Sequence, residues 1–211
     1  MPSVPELSFK DQLLAPGFQR FALPGAALTL MLFFMIQGPV LFKESWGHWE
    51  TITIIYIMMV MASVLLSPSA FEFPAWRVGV WVLVGLAGGV ALFAVVFGGF
   101  HYNTGFPLGG AVETIIYQAF VITYAEESFF RGFLTDVGKG RPGIGILGAA
   151  ALFSVFHLAA YSIAGLNWMA FLVAFFMGIA LGFTYLTTRH FASIGLVWGI
   201  HLSWNLSLLF F

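Results

Sequence analysis

The sequence predicts an all-α, polytopic membrane helix bundle, and three observations carry that prediction. The chain is 60% hydrophobic and only 8% charged, with a mean hydropathy of +0.96, whereas a soluble domain carries about 25% charged residues. Seven apolar runs, at 21–42, 51–67, 78–100, 113–135, 144–164, 168–188 and 190–211, are each long enough to cross a hydrocarbon core of about 30 Å. The loops between them are too short for a soluble domain, and no internal repeat or low-complexity segment interrupts them. One transmembrane domain is expected over 1–211, with about seven transmembrane helices: three in 1–112 and the remainder in 113–211.

The first run follows Lys10 and Arg20, as a signal peptide does, but it exceeds an h-region and ends at Phe42-Lys43-Glu44 without a small-residue cleavage site. It is expected to stay as a helix. Trp46 and Trp49 precede the second run, and Trp76 and Trp81 flank the start of the third, as interfacial anchors do. Gly85-x-x-x-Gly89, Gly178-x-x-x-Gly182 and Gly195-x-x-x-Gly199 permit close helix contact, within the chain or between copies. A homo-oligomer therefore stays open. Glu113 stands at the amino end of the fourth run, where the helix dipole favours a carboxylate. Gly138-Lys-Gly-Arg-Pro-Gly143 lacks the Gly-Lys-Ser/Thr of a phosphate loop and is expected to be a charged turn. His48 and His101 fall in loops and His190 at the start of the seventh run.

Orientation follows from the cations. With the N-terminus cytoplasmic, Lys10, Arg20, Arg77, Lys139, Arg141 and Arg189 lie inside and only Lys43 outside, which satisfies the positive-inside rule. The eighth cation, Arg131, lies within the fourth run. The absence of cysteine removes disulfides, thiolate nucleophiles and Cys-ligated metals. A net charge of −1 offers no footprint for nucleic acid.

The fourth run contains Tyr124-Ala-Glu-Glu-Ser-Phe-Phe-Arg-Gly132. Each ionised side chain at mid-bilayer costs about 2.5–3.5 kcal/mol, so Glu126, Glu127 and Arg131 need partners. On an α-helix Glu127 and Arg131 stack one turn apart and can pair, while Glu126 points about 100° away. The fifth run carries Phe153-Ser-Val-Phe-His157, and the seventh carries His201-Leu-Ser-Trp-Asn205. Counted at 1.5 Å per residue from the cytoplasmic ends, Glu126, His157 and His201 lie roughly 15, 20 and 16 Å deep. A carboxylate, two imidazoles and a carboxamide at one level can activate a water and stabilise the oxyanion its attack creates, which suggests peptide-bond hydrolysis. Taken singly, each of these residues is as well explained by helix packing; their common depth favours chemistry.

These segments also carry a resemblance. Glu126-Glu127-x-x-x-Arg131, Phe153-x-x-x-His157 and His201-x-x-x-Asn205, in that order, resemble the EExxxR, FxxxH and HxxxN motifs of the CAAX protease and bacteriocin-processing (CPBP, or Abi) family, over residues from about 113 to 211. The resemblance to type II CAAX prenyl endopeptidases implies a glutamic intramembrane protease in which Glu126 and His157 activate water. It implies that His201 and Asn205 form the oxyanion hole and that Glu127 and Arg131 brace the site. It calls for no metal and no other cofactor. The partners implied are the lipid bilayer and a membrane-associated protein or peptide substrate, cut in C-terminal processing, sorting-anchor removal or peptide maturation. The compact chain suggests a multi-pass protein of a prokaryotic plasma (inner) membrane. Two alternatives use the same residues: a zinc metalloprotease with Glu126, His157 and His201 as ligands, and a non-catalytic immunity or scaffold protein.

Overall fold

A computed structural model describes residues 49–66, 73–97, 111–135, 141–162 and 168–210. The described segments are helical throughout, apart from short turns. In chain order they are α1 (Trp49–Leu66), α2 (Ala75–Phe97), α3 (residues 111–135), α4 (Pro142–Ser162), α5 (Trp168–Ala192) and α6 (Gly195–Phe210). The expected first span, 21–42, lies outside the described residues, as do Lys10, Arg20, Lys43, Trp46, His48, His101 and Lys139.

Two stretches, Ala75–Val95 in α2 and Phe171–Ala192 in α5, are long and apolar enough to cross a membrane, and Thr53–Val64 and Pro142–His157 are shorter apolar stretches. The distribution of side chains agrees with a lipid setting. Leu83, Val95, Phe120, Phe176 and Phe183 face outward, whereas Glu126, Glu127, Arg131 and His201 are buried. Soluble proteins have the reverse arrangement.

Lipid tails are as apolar as Leu, so helix association has to come from close packing and interhelical hydrogen bonds. The glycines supply the close packing. Gly85 and Gly89 of α2 lie against Gly199, Ile200 and Ser203 of α6, and Gly195 lies on Val78 and Trp81. A methyl group at Gly85 would collide with the Leu196 carbonyl, and one at Gly199 with the Val82 carbonyl. Gly178 and Gly182 of α5 meet Ala150 and Ile146 of α4 in the same way. The three glycine spacings thus serve contacts within the chain. Gly199→Ala is expected to force α2 and α6 apart and to destabilise by about 1–3 kcal/mol. Gly88, whose added methyl meets nothing within 4 Å, is the control. Thermal unfolding in detergent checks this; equal midpoints for the two variants would refute it.

Between these helix pairs, α3 is held by α1 and α4 through an aromatic core. Phe129, Phe130 and Phe153 are fully buried. Phe130 meets Phe153 edge to face at 5.1 Å and Phe129 at 5.3 Å, the geometry that the ring quadrupole favours.

Two departures from the expected helices have identifiable causes. First, α3 is only partly α-helical: Gln118–Thr123 and Glu127–Thr135 are π-helical, with the α turn Tyr124–Glu126 between them. Thr123 and Thr135 donate their hydroxyls to the carbonyls five residues back, of Gln118 and Phe130. Wider turns rotate less per residue than the 100° of an α-helix, so neighbouring side chains diverge less. Second, α5 runs on to Ala192 where an end near 188 is expected, and α6 starts at Gly195 instead of 190. Thr184, Thr187 and Thr188 bond back to the Ala180, Phe183 and Thr184 carbonyls, which lets these β-branched residues continue the helix. His190 is therefore in the last turn of α5 and not at a helix start.

The chain turns at Ser193, whose φ is 51°. Arg77 donates Nε to the Phe191 carbonyl at 3.0 Å and Trp81 packs on Phe191 at 5.1 Å, capping the end of α5 with a cation. Trp76 remains exposed, as an interfacial anchor would be, but Trp81 is half-buried in this contact.

Candidate active site

The EExxxR segment lies where the α turn of α3 passes into the second π stretch, and every residue from Ala125 to Phe133 is buried. Such π segments recur at functional sites because they redirect side chains. Here Glu126 and Glu127 are adjacent, and both face α6.

Glu127 is the one of the two in contact with both Arg131 and His201. Its Oε1 lies 3.1 Å from Arg131 and 2.7 Å from His201 Nδ1. The carboxylate can only accept, so His201 Nδ1 is the donor. The guanidinium of Arg131 also sits over the Phe153 ring at 4.3 Å, a desolvated cation–π contact. The expected Glu127–Arg131 pair is present, and it holds His201 as well.

Glu126 is not left over, as an ideal α-helix would leave it. The Tyr56 hydroxyl of α1 donates to its Oε1 at 2.9 Å. Its Oε2 is turned the other way, 3.6 Å from His201 Nε2 and 4.0 Å from His157 Nε2. Glu126 Oε2 and His201 Nε2 are buried and make no hydrogen bond. Buried polar atoms without hydrogen-bond partners are rare, and this cluster concentrates them: Glu127 Oε2, Ser128 Oγ and both terminal nitrogens of Arg131 are in the same condition.

His157 approaches from α4. Its Nδ1 lies 2.9 Å from the Phe153 carbonyl, which can only accept, so Nδ1 is the donor there and Nε2 is turned to Glu126. The phenylalanine of FxxxH gains a role from the same geometry. Phe153 stacks beneath Arg131, touches His157 at 4.2 Å and meets His201 edge-on at 5.7 Å. It forms the common wall of the site. The His157 side chain retains 19% exposure while Glu126 has 3%, so the histidine lies on the more accessible side.

Asn205 is on the same face of α6 as His201, one turn on, but its Nδ2 donates to Gln118 Oε1 at 3.2 Å. The structure thus brings Glu126, Glu127, Arg131, His157 and His201 into one cluster and puts Asn205 beside it, tied to the first π stretch. Trp198 reaches the same stretch, donating Nε1 to the Ala119 carbonyl at 2.7 Å.

Sequence reasoning missed Tyr56 and Gln118. A signal for Tyr56 existed: beyond the first turn of α1, Thr53, Tyr56 and Ser63 are the polar residues of a mainly apolar helix, and Tyr56 and Ser63 are buried. Among the described residues, no group of three or more His, Cys, Asp or Glu side chains is arranged to hold a metal ion. The Glu127 contact is to His201 Nδ1 and leaves Nε2 available, as in carboxylate–histidine–zinc arrangements, so what disfavours a dication here is the Arg131 guanidinium next to the carboxylates.

In comparisons with known proteins, the family model described as type II CAAX prenyl endopeptidase Rce1-like matches residues 109–207. Comparison with curated proteins and with solved structures gives no match.

Proposed function

Residues 109–207 belong to the type II CAAX prenyl endopeptidase Rce1-like family, and from that premise we propose that the chain is an intramembrane glutamic endopeptidase. The observation that carries the mechanism is the approach of His157 Nε2 and His201 Nε2 to one oxygen of Glu126.

A separation of 4.0 Å between Glu126 Oε2 and His157 Nε2 is too long for a direct hydrogen bond and suits one shared water. Glu126 takes a proton from that water as its oxygen attacks the carbonyl carbon of the substrate, and the carbonyl electron pair moves onto its oxygen. The oxyanion is stabilised by the second N–H of Asn205 and by His201 Nε2, which donates only when the ring carries a second proton beyond the Nδ1–H held by Glu127. Collapse of the tetrahedral intermediate breaks the C–N bond, and the proton held at Glu126 passes to the leaving amine. Glu127 and Arg131 keep His201 in place. The site is largely closed to water, so these dipoles act at low dielectric.

The substrate proposed is a membrane-associated protein or peptide, cut in C-terminal processing, sorting-anchor removal or peptide maturation. Alternation of the described helices puts Arg77, Arg141 and Arg189 at one end and Glu113 at the other. That distribution supports a cytoplasmic side at the Arg end; the proposal takes with it a cytoplasmic N-terminus, one multi-pass domain over 1–211 and a prokaryotic plasma membrane.

Cleavage by purified protein in liposomes tests the reading, with prenylated and unprenylated peptides as substrates. Wild type is expected to cut with or without a strong chelator, and His157→Ala to lose about 10²–10⁴-fold in kcat. Chelator inhibition reversed by Zn²⁺ would overturn the glutamic mechanism. Equal function of folded wild type and variant in cells would leave a scaffold.

A further inference from the structure

We propose that Tyr56 is a positioning residue of this site: by holding Glu126 Oε1 it keeps Oε2 aimed at the water and the two histidines. The inference rests on the proteolytic reading above and extends the machinery to α1, outside the matched segment 109–207.

The terminal torsion of a glutamate is soft and roughly two-fold, so packing of the chain alone does not fix the carboxylate plane. A base must be fixed closely, because a small misplacement can cost about 10²-fold in rate. The Tyr56 hydroxyl meets Oε1 at 2.9 Å, and a hydrogen bond to an ionised acceptor in a low-dielectric setting is among the stronger ones. With Oε1 engaged on the α1 side, Oε2 is the oxygen left to face His157 and His201.

Tyr56 is itself well anchored. Its residue is 9% exposed, and its ring stands edge-on to Phe156 at 6.3 Å. Phe156 in turn lies 5.7 Å from His157. The base and its histidine are therefore positioned against one aromatic wall, from α1 and α4. A phenol suits this task, since it delivers a donor at the end of a rigid ring that is otherwise at home in an apolar core.

Tyr56→Phe removes the hydroxyl and keeps the ring. In the liposome assay it is expected to lower kcat about 10–100-fold with KM for the peptide nearly unchanged and the unfolding midpoint close to wild type. A purely structural tyrosine would give a lower midpoint and unchanged kcat per folded molecule, which would overturn the proposal. Infrared difference spectra supply a readout independent of turnover. The carboxylate band that disappears in Glu126→Gln is expected to shift in Tyr56→Phe, and an unshifted band would also overturn it. If wild type cleaves and Tyr56→Phe matches it, this inference falls and the proteolytic reading stands. If wild type and Glu126→Gln are alike in every cleavage assay, the proteolytic reading falls, while the infrared shift still decides whether Tyr56 holds Glu126.

Discussion

Glu126→Gln abolishes cleavage and leaves the protein folded: that is the expected result of the most informative single substitution. The amide has the shape of the carboxylate, and its oxygen can still accept from Tyr56, whose hydroxyl lies 2.9 Å from Oε1 in the wild type. What disappears is the ability to take a proton from water, an effect of about 10²–10⁴-fold for a general base. Stability should not suffer. Oε2 of Glu126 is buried without a hydrogen-bond partner, and neutralising an under-satisfied buried charge removes a desolvation penalty. The unfolding midpoint is therefore expected to equal or exceed that of wild type. Cleavage within a few-fold of wild type, in a variant with an unchanged midpoint, would remove Glu126 from the chemistry.

The sequence shows Glu126 as a candidate because charged residues are rare in this chain and costly in a membrane. That penalty made EExxxR conspicuous, and helical spacing made the Glu127–Arg131 pair foreseeable. Depth along each helix puts Glu126, His157 and His201 at a common level, because the rise per residue is nearly constant. Lateral direction is different. The rotation of Glu126 relative to Glu127 depends on the π turns of α3, which combine the five-residue back-bonds of Thr123 and Thr135 with packing against α1, α4 and α6. Tyr56 and Gln118 were hidden for a related reason. Each acquires its place in the site from the helix set beside it, at Glu126 and at Asn205. The helix α5 runs to Ala192, past the end of the apolar run at 188, because the back-bonded hydroxyls of Thr187 and Thr188 continue it.

Arg131→Leu is expected to fail at the opposite point, in the fold itself. Arg131 and Glu127 have side-chain exposures of 1% and 0% and lie 3.1 Å apart, so removing the guanidinium leaves a carboxylate in the core with only His201 beside it. Breaking a buried pair from one side costs about 3–5 kcal/mol, and the guanidinium's stacking on Phe153 at 4.3 Å is lost with it. Lysine restores the charge without the planar stack, so Arg131→Lys should fall between wild type and the leucine variant. The decisive comparison is the double variant Glu127→Leu/Arg131→Leu. Replacing both members of a buried pair by apolar groups is often neutral or stabilising, so the double variant should unfold at a higher temperature than Arg131→Leu alone. It should still fail to cleave, because His201 has lost the carboxylate bound to its Nδ1 at 2.7 Å. Recovery of stability without recovery of activity would separate the two carboxylates by role: Glu127 holds the histidine and Glu126 acts on the water. An Arg131→Leu protein that unfolds at the wild-type temperature would show instead that the aromatic core, and not the ion pair, holds α3 against its neighbours.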